Sequence, residues 1–474
     1  MNKFLLISCA ITLSVAIFVA CGSTSKAATK SMPKLPAATQ VKHLDWSRNA
    51  VIYEVNLRQY TDEGNIKAFK DELPRLKELG VNILWFMPIH PISVDGRKGT
   101  LGSYYAVQDY KAVNPEYGTL SDFKELVKEA HKMGFKVILD WVPNHSGRDN
   151  KWVKDHPDWY VKDASGKMVG PYDWTDVYKF DYSNPQMRAA MLDALKFWIK
   201  VADIDGYRVD VASEVPTSFW NEVRPALDSI KPVFMLAESP APDLLAKAFD
   251  MDYNWPMKDL MNEISYSAGQ NSYAKNKGNK MPVKDALAID SLLAKQSIEY
   301  PQDSYMMNMV TNHDLNSWEG TEFDRYGKAV SGLAVLTYTL PGMPLIYTGQ
   351  ETGLNHSFEF FEKDKAPNWA KNDFFAFYKK LNGLKHSLTA LRAGNEGAQL
   401  VRYHTTTPNT YIFSRGDKNG TVYVFTNLSD QLVTLKYKGK APNAKIKGIN
   451  WFNDTQESLP AILQPWEYKV IVVK

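Results

Sequence analysis

Residues 205–213 read DGYRVDVAS, directly after an apolar run, FWIKVADI, that has the pattern of a buried helix. Side chains two apart on a strand point the same way, so Arg208 and Asp210 share one face. Burying a guanidinium and a carboxylate is costly unless each satisfies the other. A strand that hides both must have a use for them, and the surrounding pattern says what kind of strand it is.

From Trp46 onward short apolar runs alternate with amphipathic stretches. The candidate strands are AVIYEVNL, VNILWFMP, FKVILDWV, IDGYRVDVA, VFMLAE, AFDMDYN, YMMNMVTN and MPLIYTG. Between them lie helix-like stretches such as NIKAFKDELPRLKELG, TLSDFKELVKEAHKMG and NPQMRAAMLDALKFWIK. Eight strands alternating with helices predict an α/β fold, a parallel (β/α)8 TIM barrel over residues 46–393. A long aromatic stretch, about 146–183, follows the third strand, and insertions of that size are functional more often than not. After Gly394 the pattern changes to short alternating strands (QLVRYHT, TYIFSR, TVYVFTN, VTLKY, KVIVVK), which predict a C-terminal antiparallel β-sandwich domain over 394–474.

In such a barrel the C-terminal strand ends build the active site. Asp210 closes the fourth strand, Glu238 the fifth, and Asp314 follows the seventh, so three acids converge on one rim. Singly, each reads as a helix cap or a surface charge; together at three strand ends they read as a site. The net charge of +3, with basic residues scattered among acids, leaves no basic face for nucleic acid. Metalloprotease, P-loop and nucleophile-elbow motifs do not occur.

The N-terminus, MNKFLLISCAITLSVAIFVAC, has an early lysine, an apolar stretch and small residues before a cysteine. Phe18-Val19-Ala20-Cys21 is similar to the lipobox of bacterial lipoproteins, which implies removal of residues 1–20 and a lipid on Cys21; the alternative is an ordinary secretory signal. Residues 21–45, rich in Ser, Thr, Ala and Lys, read as a tether. The expectation is an exported, membrane-anchored lipoprotein on the periplasmic side or cell surface, with no other mature cysteine and no intrachain disulfide.

Four motifs then carry a resemblance to the α-amylase family of glycoside hydrolases: Asp140-Trp-Val-Pro-Asn144-His145, Gly206-Tyr-Arg208-Val-Asp210, Glu238 after its apolar strand, and Asn312-His313-Asp314. The flanking Gly102-Ser-Tyr-Tyr105 and Pro341-Gly-Met-Pro344 runs fit as well. The resemblance implies Asp210 as nucleophile, Glu238 as general acid/base and Asp314 as the third carboxylate that grips sugar hydroxyls. It implies His145 and His313 as hydrogen-bond partners of the sugar, Tyr105 as its stacking platform and Asp140 as support for Arg208. Retention of configuration would follow, with the Asp210 and Glu238 carboxyls about 5 to 5.5 Å apart. In this chemistry Arg208 keeps Asp210 ionised while Glu238 keeps its proton. The expected partner is an α-glucan or maltooligosaccharide.

Two positions depart from the family pattern. Many members bind calcium through Asn144 and an aspartate whose place Lys179 takes here, so no metal is expected. Asp210 is followed by Val-Ala-Ser-Glu214 where many starch-degrading members have Lys-His, which alters the acceptor side. Trp152, Trp159, Tyr172, Trp174, Tyr178, Trp255 and Trp318 are candidates for further sugar contacts. Three readings stand: an α-1,4-glucan hydrolase, a transglycosylase or isomerase of the same family, and a non-catalytic sugar-binding lipoprotein.

Overall fold

All eight expected strands form, and they close on themselves. The computed structural model describes residues 36–474; the signal, Cys21 and the first part of the tether lie outside the described residues. The strands are β1 Ile52–Val55, β2 Ile83–Phe86, β3 Lys136–Trp141, β4 Gly206–Val209, β5 Phe234–Ala237, β6 Met251–Tyr253, β7 Tyr305–Asn308 and β8 Met343–Tyr347. Their order around the barrel is β1-β8-β7-β6-β5-β4-β3-β2, parallel throughout.

Two-residue periodicity decides which way each side chain faces. Ile52, Ile83, Ile138, Phe234 and Met307 fill the barrel interior. Their neighbours Tyr53, Leu84, Leu139, Tyr207 and Val209 pack outward with helix residues such as Leu126 and Trp198. A strand buried on both faces should be apolar throughout. The inward positions nearest the C-terminal ends break that rule with Glu54, Asp140 and Arg208, all fully buried. Asp140 and Arg208 lie directly opposite each other in the β3–β4 register. Gly206 opens β4 with φ +152, and a Cβ there would stand 1.8 Å from the Phe234 carbonyl oxygen. Only glycine lets β4 approach β5 so closely.

The helices follow local chemistry. Leu120–Lys132 starts at a reciprocal capping box between Thr119 and Asp122, and Pro185–Ala202 at the Asn184 cap. The stretch 65–80 is two helices instead of one, Ile66–Lys70 and Leu73–Leu79. Pro74 sits in the first turn of the second, where its missing N–H costs nothing, and it disfavours helical geometry in the residue before it.

The insertion is a small lobe built on the hairpin His145–Gly147 with Val177–Lys179. Beyond the barrel, a six-stranded antiparallel sheet carries the five expected strands plus Lys447–Asn450 and Thr455–Ser458, save that Val433–Thr434 pairs apart with Ile462–Leu463. Tyr411, Phe413, Val422 and Val470 on one sheet face join the main core, while Ile412, Phe425 and Ile471 on the other meet Val433 and Leu463. The second layer of the expected sandwich is therefore only that two-stranded ribbon.

The described end of the tether span is docked. Ala38 bridges Gln302, the Thr39 hydroxyl donates to the Leu245 carbonyl, and His43 pairs with Asp250 at 2.8 Å while stacking on Tyr305. Asp250 and Gln302 immediately precede β6 and β7, so this segment lies on the face opposite the acidic strand ends. Among the described residues no helix is long and apolar enough to cross a membrane.

Candidate active site

Arg208 is satisfied by more than its strand-mate. Its Nη1 donates to Asp140 Oδ1 at 2.8 Å and to Asp210 Oδ1 at 3.1 Å, and its Nε donates to the Tyr253 hydroxyl at 3.0 Å. Nη2 stands 2.8 Å from Glu238 Oε2, an ion-pair contact whose angle is too bent for a hydrogen bond. The rings of Trp85, Tyr253 and Tyr105 lie 5.1, 5.4 and 5.8 Å from the guanidinium carbon. One buried cation thus serves three carboxylates.

The sharing extends beyond the expected Asp210 and Asp140 to Glu238. Burial and the neighbouring Glu238 carboxylate push Asp210 well above the usual carboxylate range, while Arg208 pulls it down. Burial likewise raises Asp140 against the pull of Arg208.

The ladder continues one residue past each strand. The Asp210 amide donates to the Trp141 carbonyl at 2.8 Å and the Glu238 amide to the Val209 carbonyl at 2.9 Å. Asp210 and Glu238 therefore stand in register on adjacent strands, whose spacing is about 4.8 Å. The next residue, Val211, has φ 36 and ψ 50, a left-handed conformation that a β-branched residue adopts only under constraint. The turn aims its amide at Glu238 Oε2, 2.9 Å away. No sequence pattern announces that strain.

Across the barrel mouth, the helix His313–Trp318 begins with Asn312 as its cap and brings His313 and Asp314 to the rim. His313 Nε2 is 2.7 Å from the Tyr105 hydroxyl and 3.4 Å from Asp314 Oδ2, and Nδ1 meets Glu54. The Tyr105 hydroxyl also reaches Asp140 Oδ2 at 3.1 Å, where the Trp85 indole donates from 3.2 Å. Asp210, Glu238, Asp314, Arg208, Asp140, Tyr105 and His313 form one connected network. Glu54, Trp85, Tyr253 and Val211 belong to it too and were missed. A charged residue at an inward strand position was the available signal for Glu54.

His145 stands on the insertion side beside Asn144, whose Nδ2 is 3.4 Å from its Nδ1. Burial lowers the His145 imidazole to about 3, which leaves it neutral. Trp174 meets its ring edge-on at 5.2 Å. Of the other expected aromatics, Trp159 is buried and Trp152 stacks on Tyr110 at 5.1 Å, both as packing. Tyr178 lies beside Arg148 and Trp255 packs on Tyr253. Tyr172 and Trp318 are exposed, at 69% and 50%, and Trp318 contacts Phe360.

The two departures from the family pattern touch each other. Lys179 Nζ donates to Glu214 Oε2 at 3.1 Å, and the Tyr172 hydroxyl donates to Glu214 Oε1 at 2.6 Å. Lys179 is opposite His145 in the hairpin register. An ammonium close enough to His145 to act on its charge, in the place where the family pattern has an aspartate, brings the wrong charge for a calcium site. The residues do not fit calcium here.

A profile described as "Alpha amylase, catalytic domain" matches residues 45–179 and 157–382. The chain belongs to the alpha-amylase family. It is 26% identical over 408 residues to alpha-amylase MalA of Haloarcula japonica, covering 82% of this chain and 57% of that one. It is 28% identical over 410 residues to neopullulanase 2 of Thermoactinomyces vulgaris, covering 74% and 65%. The chain thus spans about three-fifths of the curated relatives it matches. Among solved structures it resembles an alpha-amylase from Lactobacillus plantarum, with a TM-score of 0.77 and 29% identity over 90% of this chain and 100% of that one. A maltogenic alpha-amylase, AmyB, from Thermotoga neapolitana gives 0.76 and 29% over 90% and 97%.

With Lys179 standing in for a cation, prolonged EDTA treatment should leave the melting temperature unchanged. A fall of several degrees that added calcium reverses would show a bound ion after all.

Proposed function

We propose that the protein is a retaining glycoside hydrolase that cleaves α-1,4-glucosidic bonds of starch-type glucans or maltooligosaccharides. The observation that carries this reading is the in-register pair Asp210 and Glu238 on adjacent strands, sharing Arg208. A pair on adjacent strands, both reached by one guanidinium, suits attack and protonation on one bond, and retention calls for carboxyls about 5 to 5.5 Å apart. Asp210 attacks the anomeric carbon as the bond to the leaving oxygen breaks. Glu238 gives its proton to that oxygen, and a glycosyl ester forms. Glu238 then takes a proton from water, which hydrolyses the ester and restores both groups.

The chemistry requires the pair's proton on Glu238 and the charge on Asp210. Arg208, by drawing Asp210 down, supports that arrangement, and substrate binding selects it. Asp314 and His313 face the same space from the opposite wall, suited to sugar hydroxyls, while the Tyr105 ring offers an apolar face. The names of the relatives, alpha-amylase, neopullulanase and cyclomaltodextrinase, support an α-glucan as substrate.

Transfer of the glycosyl unit to another sugar shares the first half of this reaction. Glu214, held by Lys179 and Tyr172, gives an acceptor wall unlike the Lys-His of many hydrolases, and it favours keeping this second reading. Incubation with maltoheptaose separates the two: hydrolysis gives only shorter sugars, transfer gives longer ones as well. Asp210→Asn keeps shape but loses the attacking charge, and turnover should fall at least about a thousandfold with binding retained. Near-normal turnover in a preparation free of wild-type enzyme contradicts the assignment.

We further propose export and lipid anchoring through Cys21. The apolar N-terminal run and the lipobox-like residues support it, and the docked segment 38–45 leads the chain in from the face opposite the acids, compatible with a cleft turned outward. Incorporation of labelled fatty acid, abolished by Cys21→Ser, is the expected result; a wild-type protein that takes up no label overturns it.

A further inference from the structure

Glu54 is absent from the motifs that define the site, yet it is fully buried at an inward position of β1, in register with Trp85 of β2. A carboxylate in that place demands a partner. Its Oε1 meets His313 Nδ1, and its Oε2 has no hydrogen-bond partner. The contact fixes the protons of His313 by elimination. Burial raises the Glu54 carboxyl while His313 and Arg208 draw it down; ionised against these two cations it only accepts, so Nδ1 carries a proton. The Tyr105 hydroxyl has one proton, and Asp140 Oδ2 at 3.1 Å is an acceptor for it. The hydroxyl then receives from Nε2 at 2.7 Å, and Asp314 Oδ2, 3.4 Å from the same nitrogen, also calls for a donor. Both ring nitrogens donate, and the ring is a cation.

We propose that Glu54 is a positioning residue that holds His313 as the imidazolium, and thereby sets the proton order Glu54–His313–Tyr105–Asp140–Arg208 through the site. The proposal rests on the glycosidase reading for its consequence in catalysis but not for the charge state itself. With the imidazolium, the Tyr105 hydroxyl is committed to Asp140 and its ring is fixed for the sugar. A second cation also stands among Asp140, Asp210, Glu238 and Asp314, which Arg208 alone would have to balance. With a neutral ring, Nε2 becomes an acceptor, Tyr105 turns its proton to it, and Asp140 loses a donor.

The groups that face His313 pull in both directions. Glu54 on β1 and Asp314 on its own helix favour the cation, and Asp140 on β3 lies within electrostatic reach. Burial, the largest influence, and Arg208 on β4 oppose it. Tyr105 contributes its hydroxyl and Trp85 only a ring edge at 6.0 Å. The balance raises His313 from 6.5 to about 9. Asp314 is 37% exposed, so its charge is partly screened, whereas Glu54 has no contact with solvent.

Two measurements test this. The first is ring nitrogen NMR of the wild-type protein, with the His313 signal identified by its loss in His313→Gln. At about pH 7.5 the expected spectrum is an imidazolium for His313 and a neutral ring for His145. A neutral His313 overturns the proposal whatever the substrate, and without need of any variant that might fold poorly. The second is the pH dependence of kcat/KM for Glu54→Gln, which keeps the shape and removes the charge. Loss of the imidazolium at lower pH should add its own fall in kcat/KM on the alkaline side, beginning at least about one pH unit below wild type, with roughly a tenfold loss for each unit moved. A purely structural role would lower activity equally at all pH values. An alkaline limb superimposable on wild type overturns the proposal.

Discussion

A guanidinium with no exposure, set inside a barrel, is stable only if its surroundings repay several kcal/mol of lost hydration. Arg208 is in that position, and much of the local structure answers its demand. The β3–β4 register puts Asp140 directly beside it. Gly206 lets β4 lie against β5, which brings Glu238 into range. Trp85, Tyr105 and Tyr253 surround it with ring faces and one hydroxyl. What results is an excess of negative charge around one cation, and that imbalance is the chemical resource of the site. It holds the Asp210 carboxyl well above the usual carboxylate range, and it recruits His313 as a second cation. The Lys179–Glu214–Tyr172 contact ties the insertion to the residues just beyond Asp210.

The barrel was legible in the sequence because each strand is an apolar run with turn residues at both ends, and all eight appear where expected. The positions of Asp210, Glu238 and Asp314 were legible for the same reason, since strand ends in such a barrel share one rim. Other features carry no local signal. The left-handed Val211 is held by the turn and by its bond to Glu238, not by its own preference, which is for a strand. The sharing of Arg208 with Glu238 depends on a neighbouring strand 28 residues further on. Thr455–Ser458 was not foreseen because it is a largely exposed edge strand, and Lys447–Asn450 because its buried positions are Gly448 and Asn450, which give no apolar alternation. Glu54 could have been read from parity alone, as a charge at an inward position between buried neighbours.

The central claim is that Arg208 sets the ionisation of Asp210. The most direct measurement is the pH–rate profile of Arg208→Ala, Arg208→Lys and Arg208→Met. Removing the cation leaves burial and Glu238 unopposed, so the Asp210 pKa rises further and the attacking carboxylate is lost at higher pH. The account predicts that the acidic limb moves to higher pH in Ala and Met. Lysine should restore it in part, because an ammonium supplies the charge without the planar fork that reaches three carboxylates. Profiles whose acidic limbs coincide with wild type in all three variants contradict the account, and Arg208 would then be packing alone.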